Sequence, residues 1–235
     1  MKAPKPSNEG QRLAALRDYH ILDTASEQVY DDIARLAAYI CRVPMAMISL
    51  VDDSRQWFKS RLGLLAEETP REVSFCAHTI LAPKPLIVAD ALEDPRFADS
   101  PLVTDEPHIR FYAGFPLVSP DGAAIGTLCA VDRKPRRICD AQQQAMEALA
   151  RQVMALLELR RISARLAHAL EQVKTLRGLL PMCAWCKRIR DDQGYWTKVE
   201  AYLQANTDAD FTHGICPECM AKERLKSSPI VPAAA

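Results

Sequence analysis

From Asp140 to Leu180 the chain runs about forty residues without a proline, and this stretch limits the fold more than any other. Asp140 with Gln143 three residues on has capping spacing, which predicts a helix start. A helix of that length exceeds what one compact domain ordinarily holds, so it predicts a connector between two modules. Within it Leu159, Ile162, Leu166, Ala169, Val173, Leu176 and Leu180 alternate three- and four-residue steps, the a/d seam of a left-handed coiled coil. The expectation is a parallel homodimer through residues 159–180; the competing reading is a stripe that packs on its own domain. The helix divides the chain into a sensor-sized domain at 9–139, the connector at 140–180, a cysteine-bearing module at 181–225 and a disordered tail at 226–235 rich in proline and alanine.

The first segment mixes periods. Thr24 with Glu27 has capping-box spacing, and Val29, Ile33, Leu36, Ala37 and Ile40 follow at helical intervals, predicting a helix over 26–42. Met45 to Val51 and Gln56 to Arg61 flank the turn formers Asp52, Asp53 and Ser54, predicting a hairpin. A short helix over 74–81, a strand over 85–89 and a proline-bearing loop to Pro107 come next. Arg110 to Ser119 and Ala124 to Asp132 flank Pro120-Asp121-Gly122 as a second hairpin. The sum is α+β: an antiparallel sheet flanked by helices.

Composition narrows the function classes. Apolar residues make up 49% and charged residues 26%, which fits an ordered globular chain. Thirty basic residues balance thirty acidic ones, so no overall field draws the chain to nucleic acid or an anionic membrane. The amino terminus lacks the apolar core of a signal peptide, and no segment approaches about 18 uninterrupted apolar residues. The expectation is a cytoplasmic protein with reduced thiols, no membrane partner and no nucleic-acid partner.

Specific motifs go further. Leu50-Val51-Asp52, Arg55-Gln56-Trp57-Phe58-Lys59-Ser60 and Ser74-Phe75-Cys76-Ala77-His78 are followed by Asp94-Pro95-Arg96-Phe97, Arg110-Phe111-Tyr112-Ala113-Gly114 and Gly126-Thr127-Leu128-Cys129. In this order they resemble the GAF domains that open many bacterial histidine kinases and diguanylate cyclases, over roughly Glu9 to Ala150. The resemblance implies a five- or six-stranded antiparallel sheet with a helical layer on one face and a small-molecule pocket on the other. Trp57, Phe58, Phe75, His78, Arg110 and Tyr112 are the candidate pocket residues by that resemblance and by their mix of aromatic and polar types; core packing is the competing role for each. The ligand is left open.

Cys183-Ala184-Trp185-Cys186 and Cys216-Pro217-Glu218-Cys219 form two CxxC pairs. Four soft thiolates in close pairs predict one tetrahedral Zn2+ held by Cys183, Cys186, Cys216 and Cys219. A thiol switch and a redox CxxC are the alternatives, the latter without its usual βαβ setting. The surrounding residues resemble a short tail module of bacterial response regulators and sensor proteins. The span Gly194 to Gln204 has room for a helix between the pairs, and His213 is read as a bystander. His168 falls at a solvent-facing heptad position.

Cys76 and His78 are two apart, which on a helix keeps them from meeting; Cys41 and Cys129 fall in apolar runs and are read as buried, and Cys139 precedes a helix start. No kinase, cyclase or phosphodiesterase domain is expected in the residues that follow. The expectation is therefore a signal-transduction sensor that is not an enzyme, passing its signal through a dimeric helix to the zinc module. The alternative is a thiol redox sensor or an enzyme like the GAF-fold methionine sulfoxide reductases, with Cys76, Cys129 or the CxxC thiols as nucleophiles, although that family's cysteine arrangement is absent.

Overall fold

The computed structural model describes residues 2–172, 180–191, 193–206 and 210–226. They form two compact units, Met1–Leu166 and Ala167–Ala235. In the first, helices α1 (Glu9–Asp18) and α2 (Gln28–Cys41) precede the hairpin β1 (Met45–Val51) and β2 (Arg55–Leu62). Strand β3 (Glu68–Pro70), helix α3 (Phe75–Thr79), strand β4 (Leu86–Val88) and helix α4 (Pro101–Thr104) lead to β5 (Phe111–Val118), β6 (Ala124–Asp132) and the long helix α5 (Asp140–Gln172). The strands make one sheet in the order β3-β2-β1-β6-β5-β4, antiparallel throughout.

Alternation along the central strands builds two cores. Ala46, Ile48 and Leu50 of β1, with Phe111, Phe115 and Leu117 of β5, face a layer made by α1, α2 and α5. Met45, Met47, Tyr112, Cys129 and Val131 face the opposite layer, made by α3 and the segment around Phe97, Val103 and Ile109. A sheet covered on both faces explains why β1 and β6 are buried along their whole lengths.

Two expectations about α2 are corrected. Thr24 and Glu27 make no capping box: Thr24 donates its hydroxyl to the Ile21 carbonyl, and Glu27 pairs with Lys59. The cause lies in β2. The β1–β2 register slips so that Lys59 has no partner across the ladder, and a bulged residue is re-aimed. Its buried ammonium donates to Thr24 Oγ1 (2.9 Å), the Ala25 carbonyl (2.6 Å) and Glu27 Oε1 (2.6 Å), which satisfies all three of its donors. The buried face of α2 carries Tyr30, Ile33, Ala34, Ala37 and Cys41, whereas Val29 and Leu36 are exposed.

At the start of α5 the cap is Gln142, whose side-chain oxygen accepts from the Cys139 N–H at 3.0 Å. The helix then enters the first core with Met146, Ala150, Val153 and Leu157, and Tyr19 at the end of α1 hydrogen-bonds Glu158. Leu159, Ile162 and Leu166 are exposed. Val173 and Leu176 of the heptad seam, and residues 227–235 of the tail, lie outside the described residues.

In the second unit, β7 (Ile189–Arg190) pairs with β8 (Trp196–Thr197), and α6 (Val199–Asn206) and α7 (Pro217–Lys226) follow. Among the described residues no helix is long and apolar enough to cross a membrane.

Candidate functional site

The space between the sheet and the α3 layer is where chemistry-bearing side chains converge. Ser74 caps α3, its hydroxyl oxygen accepting from the Ala77 N–H at 3.2 Å, and holds the helix to β2 through a hydrogen bond to Gln56. Phe75 stacks on Phe97 with ring centroids 4.1 Å apart and lies 5.0 Å from the Tyr112 ring. Beneath them is a cavity of about 40 Å3 whose lining, almost wholly apolar, includes Met47, Phe58, Phe75, Cys76, Tyr112 and Val131.

Three of the six expected pocket residues, Phe58, Phe75 and Tyr112, thus share one cavity. Trp57 packs in the core on the other face of the sheet, as a neighbour of Phe58 in a strand must. His78 sits edge-on to Phe97 at 4.8 Å. Arg110 does not line the cavity: its guanidinium donates to both carboxylate oxygens of Asp90 at 2.7 and 2.5 Å, and the Ala91 N–H donates to the Arg110 carbonyl at 2.6 Å. It anchors the segment that leads to the cavity's cover.

A hydroxyl and thiol cluster adjoins the cavity. Cys76 Sγ accepts from Thr127 Oγ1 at 2.9 Å and from the Tyr112 hydroxyl at 3.3 Å, and lies 4.0 Å from Cys129 Sγ. Ser49 and Thr127 hydroxyls are 2.9 Å apart, and those of Thr79 and Tyr112 are 2.7 Å apart. Each hydroxyl has one proton. If Thr127 donates its proton to the sulfur, Ser49 must donate to Thr127, so one relay ends on Cys76; on the Tyr112 side the Phe75 carbonyl, 3.3 Å from Thr79 Oγ1, competes with Tyr112 for the Thr79 proton.

Burial alone would push the Cys76 thiol up, but the hydrogen bonds from Cys129, Ser49, Thr127 and Tyr112 outweigh it and hold the thiol below its ordinary value. The Cys129 thiol is pushed well up by the Cys76 sulfur beside it and by burial. One member of the pair ionises at the other's expense. Sequence reasoning set Cys76 against His78 and missed Cys129 as its neighbour. Thr127 and Cys129 share a face of β6, and that alternation was a usable signal.

In the second unit each CxxC forms a local turn around its first sulfur. The Cys186 N–H donates to Cys183 Sγ and the Cys219 N–H to Cys216 Sγ, both at 3.5 Å. Those backbone bonds lower both thiols from their ordinary value. The first pair precedes β7, with the Cys183 N–H donating to the Arg188 carbonyl at 2.8 Å; the second opens α7, where the helix N-terminus favours a thiolate. Among the described residues, no group of three or more His, Cys, Asp or Glu side chains is gathered as a metal cluster.

Comparison with known proteins places this architecture. The family profile of the GAF domain matches residues 26–157, more than half of the chain. The chain is 43% identical over 153 residues to "Cyclic di-GMP phosphodiesterase PA2567" of Pseudomonas aeruginosa, covering 65% of this chain and 26% of that protein. The chain thus spans about a quarter of the length of this curated relative. That finding corrects the expectation of a protein that is not an enzyme: a relative sharing the GAF part of the chain is named for an enzymatic activity. Among solved structures, the blue-light-absorbing form of the Thermosynechococcus elongatus PixJ GAF domain is 16% identical with a TM-score of 0.52, covering 68% of this chain and 96% of that one. The GAF domain of the Acinetobacter phosphoenolpyruvate-protein phosphotransferase is 15% identical with a TM-score of 0.49, covering 66% and 98%. The six-stranded antiparallel sheet, the two helical layers and the matched span agree, and the chain belongs to the GAF domain family.

Proposed function

We propose that this chain is a cytoplasmic sensor of signal transduction in which the GAF domain receives a small molecule in the cavity beneath Phe75. The signal then passes along α5 of a dimer to a four-cysteine zinc module. The observation that carries the reading is the cavity itself, closed by α3 and lined by residues of β1, β2, β3, β5 and β6. At about 40 Å3 it takes a molecule of few heavy atoms as it stands, since drug-sized ligands occupy about 300 Å3 or more. Binding anything larger would displace α3, and displacement of a packed layer is how such a site changes state.

The name of the Pseudomonas relative supports a place in cyclic di-GMP signalling, with this domain as the input to that turnover. Cys183, Cys186, Cys216 and Cys219 are the proposed zinc ligands, supported by the N–H···S turns that stabilise a thiolate in each pair. The metal would supply a structural cross-link that folds the module.

Native mass spectrometry of the gently purified full chain tests the reading, because it reports retained compound, zinc and oligomer together. The expected species is a dimer carrying zinc and a small retained mass. Val131→Phe, which fills the cavity from β6, should remove that mass and leave the zinc. A monomer without retained compound in either protein would overturn the proposal.

A further inference from the structure

We propose that Cys76 and Cys129 form a reversible dithiol–disulfide switch, oxidised by a small hydroperoxide that enters through the cavity under α3. The two sulfurs are 4.0 Å apart on different layers of the domain, Cys76 on α3 and Cys129 on β6. Both are buried, so bulky disulfides of the glutathione kind cannot reach them, whereas a two-oxygen molecule fits a cavity of about 40 Å3. No third metal-ligating side chain joins the pair among the described residues. The groups that surround Cys76 are hydroxyl donors, which suit a thiolate nucleophile.

The chemistry balances with hydrogen peroxide as the oxidant. The Cys76 thiolate attacks one peroxide oxygen, the O–O bond breaks, and Cys76 becomes a sulfenic acid. The departing hydroxide takes the proton lost by the thiol and leaves as water. The Cys129 sulfur then attacks Cys76, the S–O bond breaks, and the second water leaves with the Cys129 proton. Two sulfurs have lost two electrons and the peroxide has gained them. The lowered thiol is the nucleophile and the raised one the resolving partner, the order such a pair requires.

Thr127 and Tyr112 act as positioning residues: their hydroxyls hold the thiolate and aim it. Closing the sulfurs to a bonding distance of about 2.05 Å draws α3 toward the sheet and reshapes the cavity cover. Use of that movement as a signal rests on the sensory reading above, but the thiol chemistry does not.

The test is peptide mapping of the full chain after hydrogen peroxide treatment, alkylation of remaining thiols and digestion without reductant. The expected product is a peptide pair joined through Cys76 and Cys129, which dithiothreitol separates. In Cys129→Ser, Cys76 should instead be trapped by dimedone as a sulfenic acid. Thr127→Val should move the pH midpoint of Cys76 oxidation upward by about one unit, slowing the reaction about tenfold at pH values well below both midpoints and leaving it nearly unchanged well above them. If Cys129→Ser fails to fold, the wild-type map decides alone. The proposal is overturned if Cys76 and Cys129 both remain thiols under conditions that fully oxidise the exposed Cys139, or if Cys76 joins another cysteine. A retained ligand found without the linked peptide would leave the sensory reading standing and remove this one.

Discussion

Gly114 lies directly beneath the Tyr112 hydroxyl on β5: a Cβ at position 114 would collide with that hydroxyl and approach Thr79 Oγ1 to 2.7 Å. The two residues are i and i+2 on one strand and share a face. The Tyr112 ring therefore folds back along its own strand, and only glycine leaves it room to reach Cys76. Gly114→Ala should cost about 1–3 kcal/mol by overpacking. Gly10, inside α1 with open space within 4 Å of where a Cβ would stand, provides the opposite sign: Gly10→Ala should gain about 0.5–1 kcal/mol from helix propensity. Urea titrations of both variants check the pair, and equal effects would contradict the packing argument.

Glu9 holds α1 to the β1–β2 turn. Its carboxylate accepts from Arg12 at 2.9 Å and from Arg71 at 2.5 Å, while Arg12 also donates to the Val51 carbonyl at 2.5 Å. Burial would raise the Glu9 carboxyl, but the two guanidinium groups overcome it and hold it down at about 2. A folded value below the unfolded one stabilises the fold above the unfolded pKa of about 4.3. That contribution is lost as pH falls from about 4.3 through 2. Wild type should lose stability over this acid window, and Glu9→Gln should lose about 3 kcal/mol at pH 7, because it leaves the buried Arg12 without its counter-charge. The variant's acid slope should be shallower, which thermal melts at several pH values will measure.

What the sequence made legible follows the physics of each signal. The two long hairpins were readable because turn formers separate β-rich runs. The capping box at Thr24 failed because a tertiary partner, Lys59, displaces the backbone as the partner of the same side chains, and a bulge in β2 leaves no trace in a hydropathy pattern. Phe58, Phe75 and Tyr112 line one cavity, while strand alternation turns Trp57 to the opposite face of the sheet. Cys129 was read as a buried small hydrophobe, and buried it is; its neighbour Cys76 lies 53 residues away in sequence, a proximity that only the assembled layers create.

The zinc proposal predicts about one metal per chain, lost in Cys183→Ser and in Cys216→Ser alike, since each removes one of four thiolates. Because backbone N–H groups lower Cys183 and Cys216, protons should displace the metal only well below the usual thiol range. Chelation should abolish the circular dichroism of the second unit's helices and spare the first unit. Metal analysis that finds no zinc in protein purified without chelator would rule the site out.

The exposed stripe on α5 leads to the last prediction. Leu157 is 1% exposed inside the first core, but Leu159, Ile162, Leu166 and Leu170 are 62, 57, 59 and 64% exposed. Burying such a side chain is worth about 1.5–3 kcal/mol, which is what the proposed pairing with a second copy of the helix would supply. If two helices pair there, Leu166→Asp places a charge in the seam and should weaken dimerisation about a hundredfold or more. Inserting seven residues after Ser163 nearly preserves the heptad phase, whereas inserting four adds about 40° and breaks it. Sedimentation should therefore find wild type and the seven-residue insertion dimeric, and the other two variants dissociated. A monomer in all four cases would mean that the stripe serves another partner, and α5 could not then carry a signal between two copies.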